Sequence, residues 1–215
     1  MRFLGSAWLS AALVAYPLAG AAHPHVFIDG GADFLFQDNA LTAVRITWAY
    51  DEFTTLYYLQ EMQVDPEGDL ILTEAERALL LVDHVSWDDG FEGDSYLEID
   101  GKDVRLSDPK RGSVEIRDGR LRITFERELA NSVAAAGLRA TARLYDPTYF
   151  VAYSVTQPSL AEGVGHACRA TLVPFDPGRD LVRLQATLAQ LSREETPEDT
   201  RVGALFADEI HLTCE

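Results

Sequence analysis

The chain has 215 residues, of which 35 are acidic and 18 basic, so its formal net charge at pH 7 is −17. Nucleic acid and anionic membrane surfaces both require a basic protein face, so this balance excludes them as partners and favours cations or a basic protein. The length suits a single domain that can bury a sizeable core.

Residues 1–22 have the pattern of a secretory signal peptide. Arg2 precedes the apolar run FLGSAWLSAALVAY, and PLAGAA then supplies small residues for cleavage after Ala21 or Ala22. The run is shorter than the ~20 apolar residues of a membrane-spanning helix, so we expect a cleaved signal rather than an uncleaved anchor. Residues 23–215 are then a single periplasmic or secreted domain that is not itself transmembrane.

The mature sequence opens with two strand patterns followed by two helix patterns. HVFIDGGADFLFQ and ALTAVRITWAYD alternate in part and are joined by an Asp38-Asn39 turn. Asp51 is the predicted N-cap of the helix DEFTTLYYLQEMQ, and Thr73 with Glu76 predicts a capping box at the start of TEAERALLLVDHV. Residues 51–87 are therefore a predicted helix-loop-helix insertion.

From Tyr96 onward the sequence returns to strand patterns. Asp-Gly pairs at positions 100–101 and 118–119 predict two hairpins. Further strands are predicted in LRATARLYD, TYFVAYSV, CRATLVPF and EIHLTC, and a C-terminal helix in RDLVRLQATLAQLSR. The predicted fold class is α+β, a mostly antiparallel β-sheet or sandwich with an inserted EF-hand-like helix-loop-helix and a C-terminal helix.

The chain contains two cysteines, Cys168 and Cys214, which lie in two of the predicted strands. In an oxidising compartment, an even pair separated by a long loop predicts one disulfide. The alternative is a dithiol metal site.

The segment DPEGDLILTEAE, between the two predicted helices, resembles an EF-hand calcium loop. Its oxygen ligands at positions one, three, five, seven, nine and twelve would be Asp65, Glu67, Asp69, the Ile71 carbonyl, Thr73 and Glu76. Leu70 occupies the sixth position, where the turn requires a positive φ that costs leucine on the order of 1 kcal/mol. Either calcium binds weakly here, or the loop only caps the second helix. We expect EF-hand-like geometry in both cases.

His23 and His25 lie one residue apart near the mature N-terminus, on the same face of an extended strand. Imidazole binds zinc, copper and nickel well, but two ligands make a weak site. Further candidate ligands are His84, His166, His211, Asp29, Asp51, Glu52 and Asp146. Asp146 is our first choice and Glu52 the second, because both follow strands that could end at one edge of a sheet. The alternative is two ordinary strand histidines, with Asp146-Pro147 as a turn.

The blocks AHPHVFID, WAYDEFTT, the acidic helix-loop-helix and YDPTYFVAY occur in an order that resembles a bacterial family, domain of unknown function 1007. The resemblance extends from His23 to the closing FADEIHLTCE. The family is usually described as the periplasmic component of an uncharacterised ABC-type transport system, and it is often encoded beside nickel/cobalt-type permeases. It therefore implies a role in handling Zn²⁺, Ni²⁺ or Co²⁺ with an inner-membrane metal permease or ABC-type transporter. It also implies a loop closer to DxDGDG, from which Leu70 departs.

The sequence contains no nucleophile elbow, Walker loop, zincin helix or Cys-x-x-Cys motif. We therefore expect a protein that is not an enzyme. One reading is a transition-metal-binding accessory of a transport system. The other is an interaction module with structural histidines, whose acidic face docks a transporter or another envelope partner.

Overall fold

The computed structural model describes residues 24–157, 159–163, 168–178 and 201–215. The predicted signal peptide, His23, His166 and the predicted C-terminal helix fall outside these residues.

The elements in chain order are β1 (Val26–Gln37), β2 (Ala40–Tyr50), α1 (Glu52–Glu61), α2 (Glu74–Val85), β3 (Ser95–Ile99), β4 (Lys102–Val104), β5 (Lys110–Arg117), β6 (Arg120–Ala134), β7 (Arg139–Leu144), β8 (Val151–Val155), β9 (Ala161–Glu162), β10 (Cys168–Val173) and β11 (Glu209–Cys214), with a short 3₁₀ helix, Val202–Leu205, before β11. The α+β class is confirmed. Within the described ranges, no helix is long and apolar enough to cross a membrane.

The first sheet has the strand order β5-β6-β2-β1-β8, and β9 also pairs with β1. Its pairs are antiparallel except that β8 and β9 run parallel to β1. Ile28 of β1 pairs with both Tyr50 of β2 and Tyr153 of β8. The start of β1, the end of β2 and the start of β8 therefore lie side by side at one end of the strands. We call this end of the sheet the β1 edge.

The second sheet has the order β10-β11-β7-β3-β4 and is antiparallel throughout. Cys168 and Cys214 lie directly opposite each other on β10 and β11. They form the predicted disulfide, with Cα atoms 4.0 Å apart. The dithiol metal site is therefore wrong, because no cysteine of the described chain is free.

Local signals in the sequence fix the turns and the helix starts. The hairpin turns 38–39, 100–101 and 118–119 have positive φ at both central residues, as a two-residue type I′ turn requires. The Asp51 carboxylate accepts the Thr54 N–H at 2.7 Å and so caps α1. Thr73 and Glu76 form the predicted capping box of α2.

The core takes apolar side chains from both sheets and from the helices. Phe34 and Phe125 of the first sheet are fully buried, as are Leu97 and Ile210 of the second and Leu80 of α2. At Gly30 on β1, an added Cβ would overlap the Leu144 side chain of β7. The missing side chain lets the two sheets approach closely at this point.

Candidate functional site

The edge of the first sheet where β1 begins gathers two of the candidate metal ligands. The His25 N–H donates to the Phe150 carbonyl at 2.8 Å, and the two rings lie 4.8 Å apart. The Asp51 N–H donates to the Phe27 carbonyl at 3.3 Å, which holds Glu52 at the same edge. Both His25 and Glu52 are exposed. Their role as metal ligands stays a prediction.

The Asp146 carboxylate, the first-choice partner, organises the turn that leads into β8. It accepts the backbone N–H groups of Thr148 at 2.8 Å, Phe150 at 2.9 Å and Val151 at 3.0 Å, and also the Thr148 hydroxyl. These bonds explain Asp146 as a turn residue. Since both carboxylate oxygens are occupied, binding a metal would require at least one bond to open.

The other candidate ligands have structural partners of their own. Asp29 forms an ion pair with Arg120 at 2.6 Å, and His211 lies on β11 in the second sheet, 2.7 Å from Glu209. Across the described ranges, no group of three or more His, Cys, Asp or Glu side chains is arranged to hold a metal ion. A metal site at the β1 edge would therefore need His23, which lies outside them.

In the acidic loop, the carboxylates bond to the backbone of the loop itself. Asp65 accepts the N–H groups of Asp69 at 3.1 Å and Leu70 at 3.0 Å, while Glu76 accepts those of Asp65 and Thr73, both at 2.8 Å. Leu70 has a φ of 62°, which is a left-handed conformation. The side chain of Leu70 is half-buried against the core. This packing offsets part of the cost of the backbone conformation.

A cavity of about 920 Å³ lies between the first sheet, the end of α2 and the loop that follows it. We call it the aromatic pocket. Its rings include Trp48 and Tyr50 of β2, Trp87 after α2 and Tyr153 of β8, and Asp94 lines it beside them. The volume falls within the range of small-molecule sites, roughly 300–1,000 Å³.

Two buried polar atoms of pocket residues have no hydrogen-bond partner among the described residues: His84 Nε2 and Trp48 Nε1. His84 is 7% exposed, and its Nδ1 donates to the Leu80 carbonyl of its own helix at 2.7 Å. In the neutral ring Nε2 therefore carries the lone pair, and the rings of Tyr50 and Tyr58 lie 5.6 and 5.0 Å from the imidazole. Burial lowers the pKa of His84, so the ring is neutral.

Asp94 is the most perturbed carboxyl of the pocket. It is 6% exposed, and it accepts the Tyr153 hydroxyl at 2.8 Å. Burial raises its pKa from the usual 3.8 to about 7, because the charged form loses its hydration; the negative charge of Asp146 adds to the rise, and the bond from Tyr153 opposes it. Near neutral pH the carboxyl is therefore close to the midpoint of its titration.

Arg127 and Gly93 hold the loop that carries Asp94. Arg127 is buried, donates to the carbonyl and hydroxyl of Ser95, each at 2.9 Å, and lies 5.0 Å from the centre of the Trp87 ring. Gly93 has a φ of 65°, and an added Cβ would overlap Trp87. Asp94 itself has a φ of 45°. The bonds from Arg127 and the contact of Gly93 with Trp87 thus hold the loop in this left-handed conformation.

Comparison with known proteins identifies the family. A family model described as "Protein of unknown function (DUF1007)" matches residues 8–214. The chain belongs to this family. An uncharacterized protein of Haemophilus influenzae (strain ATCC 51907 / DSM 11121 / KW20 / Rd) is similar to it, with 27% identity over 198 residues, 90% of this chain and 92% of the relative. No solved structure matches significantly.

For this DUF1007 protein, the sequence predicts a site at the β1 edge, which stays a prediction, and it does not predict the aromatic pocket. Trp48 and Tyr50 continue the buried alternation of β2, and alternation alone does not distinguish a pocket wall from core. The sequence presents His84 only as a remote candidate metal ligand. The one local signal for Asp94 was the Gly93-Asp94 pair, which is typical of an ordinary turn.

Proposed function

We propose that this protein is an exported, non-catalytic accessory protein that binds a transition-metal ion in the periplasm and assists a membrane metal permease or ABC-type transport system. The observation that supports it is that His25 and Glu52 both lie at the β1 edge, where the Asp51 N–H bonds to the Phe27 carbonyl, and that His23 precedes His25 by two residues. Two imidazoles with one or two carboxylates form a ligand set suited to Zn²⁺, Ni²⁺ or Co²⁺.

In this proposal His23 and His25 are the main ligands, and the two candidate carboxylates differ in how easily they could join them. Glu52 is exposed at the first turn of α1 and can turn toward the edge without breaking a bond of the fold. Asp146 would have to give up part of its turn. The net charge of −17 attracts cations to the surface in general.

The test is the simultaneous replacement of His23 and His25 by alanine. Calorimetry at neutral pH should show zinc or nickel binding in the wild type and none in the double variant. Because a ligating imidazole must be deprotonated, affinity should fall as the pH drops through about 6.5. His211→Ala, in the second sheet, is the matched control and should bind like the wild type. A double variant that binds as tightly as the wild type would refute this proposal.

A second candidate function is docking of a basic partner, such as a transporter segment, on the helical insertion. The insertion and the three residues that follow it, 51–90 in all, contain 11 acidic residues and one basic residue, Arg77. On α1, Phe53, Leu56 and Tyr57 are exposed by 82%, 57% and 58%. Their spacing places them on one helix face, so the insertion presents apolar side chains within an acidic surface. Ion-dependent melting separates the two functions, since zinc should stabilise a metal-binding protein and leave a docking module unchanged.

Two finer features of the fold belong with this proposal. The close approach of the sheets at Gly30 supports a β-sandwich. The positive φ of Leu70 and the bonds from Asp65 support an EF-hand-like loop between α1 and α2. Since its carboxylates already bond to the loop backbone and Leu70 is unfavourable there, we expect calcium to bind weakly and to raise the melting temperature only slightly.

A further inference from the structure

We propose that the aromatic pocket is a binding site for a small organic cation, an amine that also carries a hydrogen-bond acceptor. The site is separate from the proposed metal site and is built from β2, α2, β8 and the loop around Asp94. Its recognition chemistry follows from its unpartnered polar atoms, its charge and its rings.

The unpartnered atoms define the hydrogen bonds that a ligand should make. His84 Nε2 is a buried acceptor, and Trp48 Nε1–H is a buried donor on a residue that is 4% exposed. A buried polar atom without a partner destabilises the protein, because it has lost its hydrogen bonds to water. Since His84 and Trp48 both line the pocket, these atoms favour a ligand that carries both an N–H donor and an oxygen acceptor.

The charge of the lining selects a cation. Six carboxylates line the cavity: Asp83, Asp88, Asp89, Glu92, Asp94 and Asp146. Among the described residues of the lining, the one basic residue is Arg201, which forms an ion pair with Glu92 at 3.2 Å. An anionic ligand would meet uncompensated repulsion, whereas an ammonium group would neutralise Asp94 at its bond to Tyr153.

The rings favour an organic cation over a metal ion. Trp48, Tyr50 and Tyr153 line the cavity together, and aromatic faces attract alkylammonium groups. His84 is the one imidazole in the lining, and no set of three metal-ligating side chains occurs here or elsewhere in the described ranges. The cavity is also far larger than an ion requires.

The test compares two probes of the same shape. Phenylethanolamine carries an ammonium group, a hydroxyl and a ring, and phenylethanediol replaces the ammonium by a neutral hydroxyl. With a chelator present, titration at about pH 8, where Asp94 is ionised, should show saturable binding of the amine by calorimetry and tryptophan fluorescence. The amine should bind at least about tenfold more tightly than the diol. Equal affinities, or no saturable binding of the amine, would overturn the proposal.

Asp94→Asn provides the residue-level test, since it removes the charge and keeps the shape and the acceptor for Tyr153. Amine affinity should fall about tenfold and diol affinity should stay within about twofold. Asp103→Asn, an exposed change on β4 outside the pocket, is the matched control and should leave both affinities unchanged. An unchanged amine affinity in Asp94→Asn would contradict the assignment. The wild-type comparison of probes decides the proposal even if this variant folds poorly. Since the chelator excludes metal, these outcomes do not depend on the metal-accessory function.

Discussion

Asp94 concentrates, in one residue, three features that cost the folded protein free energy. It is buried, it has a left-handed backbone, and it is a carboxyl with a strongly raised pKa. Each disfavours folding, and Arg127 and Gly93 keep the loop in place despite them. Strain and a perturbed pKa that coincide in a cavity are typical of a functional site.

The raised pKa of Asp94 makes stability depend on pH. Its pKa is 3.8 in an ordinary setting and about 7 in the fold. Between these values the folded state holds a proton that the unfolded state has lost, so the free energy of unfolding falls as the pH rises through this window. Asp94→Asn should match the wild type near pH 4 and exceed it by up to about 4 kcal/mol near pH 8.

Urea unfolding followed by circular dichroism across this range measures the difference. The groups that face Asp94 are Tyr153, Asp146, Tyr50 and Tyr96. The lowered pKa of His84 changes the stability in the opposite direction. As the pH falls, the unfolded state protonates this imidazole before the folded state does, so the free energy of unfolding falls with the pH. It acts in both proteins and cancels in the comparison. A difference between wild type and variant that is constant with pH would contradict this account.

At the level of the elements, the sequence predicts what is decided locally. Asp-Gly turns, the Asp51 cap and the Thr73–Glu76 capping box were recognisable because each depends on residues at most three apart. The parallel pairing of β8 with β1 was not, since strand propensity carries no direction. The aromatic pocket was not recognisable either, because it is built from residues that are far apart in the sequence. Its key hydrogen bond joins Asp94 to Tyr153, 59 residues later.

Leu70 is the element-level case in which packing and backbone conformation oppose each other. Its side chain packs on the core, while its φ of 62° is unfavourable for any residue with a Cβ. Leu70→Ala should lose the packing and keep the strain, whereas Leu70→Gly should lose both. We therefore expect the glycine variant to be more stable than the alanine variant by about 1 kcal/mol, the reverse of their usual order.

Thermal and urea unfolding of these two variants measure the difference. Ala78, exposed within α2, gives the matched control. Ala78→Gly should lose about 1 kcal/mol, because glycine is the poorer residue in a helix. A Leu70→Gly protein less stable than Leu70→Ala would mean that the loop does not hold this residue in the left-handed conformation.

At the scale of the whole molecule, the negative charge is unevenly distributed. In the sheets, basic residues compensate acidic ones: Arg45 bonds to Glu126 and Glu162 at 3.2 and 2.8 Å, and Arg143 to Glu209 at 2.7 Å. In the segment 51–90, by contrast, 11 acidic residues stand against one basic residue, so most of the negative charge is not compensated. Like charges within a Debye length, about 10 Å at 0.1 M salt, repel one another and destabilise the fold. The protein thus keeps its helical insertion acidic at a cost in stability, as a surface that attracts cationic partners would require.

Glu61→Lys tests this cost. Glu61 is exposed and ends α1, where a negative charge opposes both its acidic neighbours and the helix dipole. The lysine should raise the free energy of unfolding by about 0.5–1 kcal/mol at low salt, and the gain should shrink as salt screens it. Glu74→Lys makes the same charge change in the same segment, but at the first residue of α2, where the dipole favours the acid. It should stabilise less, or not at all. Equal effects of the two variants would exclude the dipole contribution, and no stabilisation by Glu61→Lys at low salt would show that the acidic segment carries no repulsive cost.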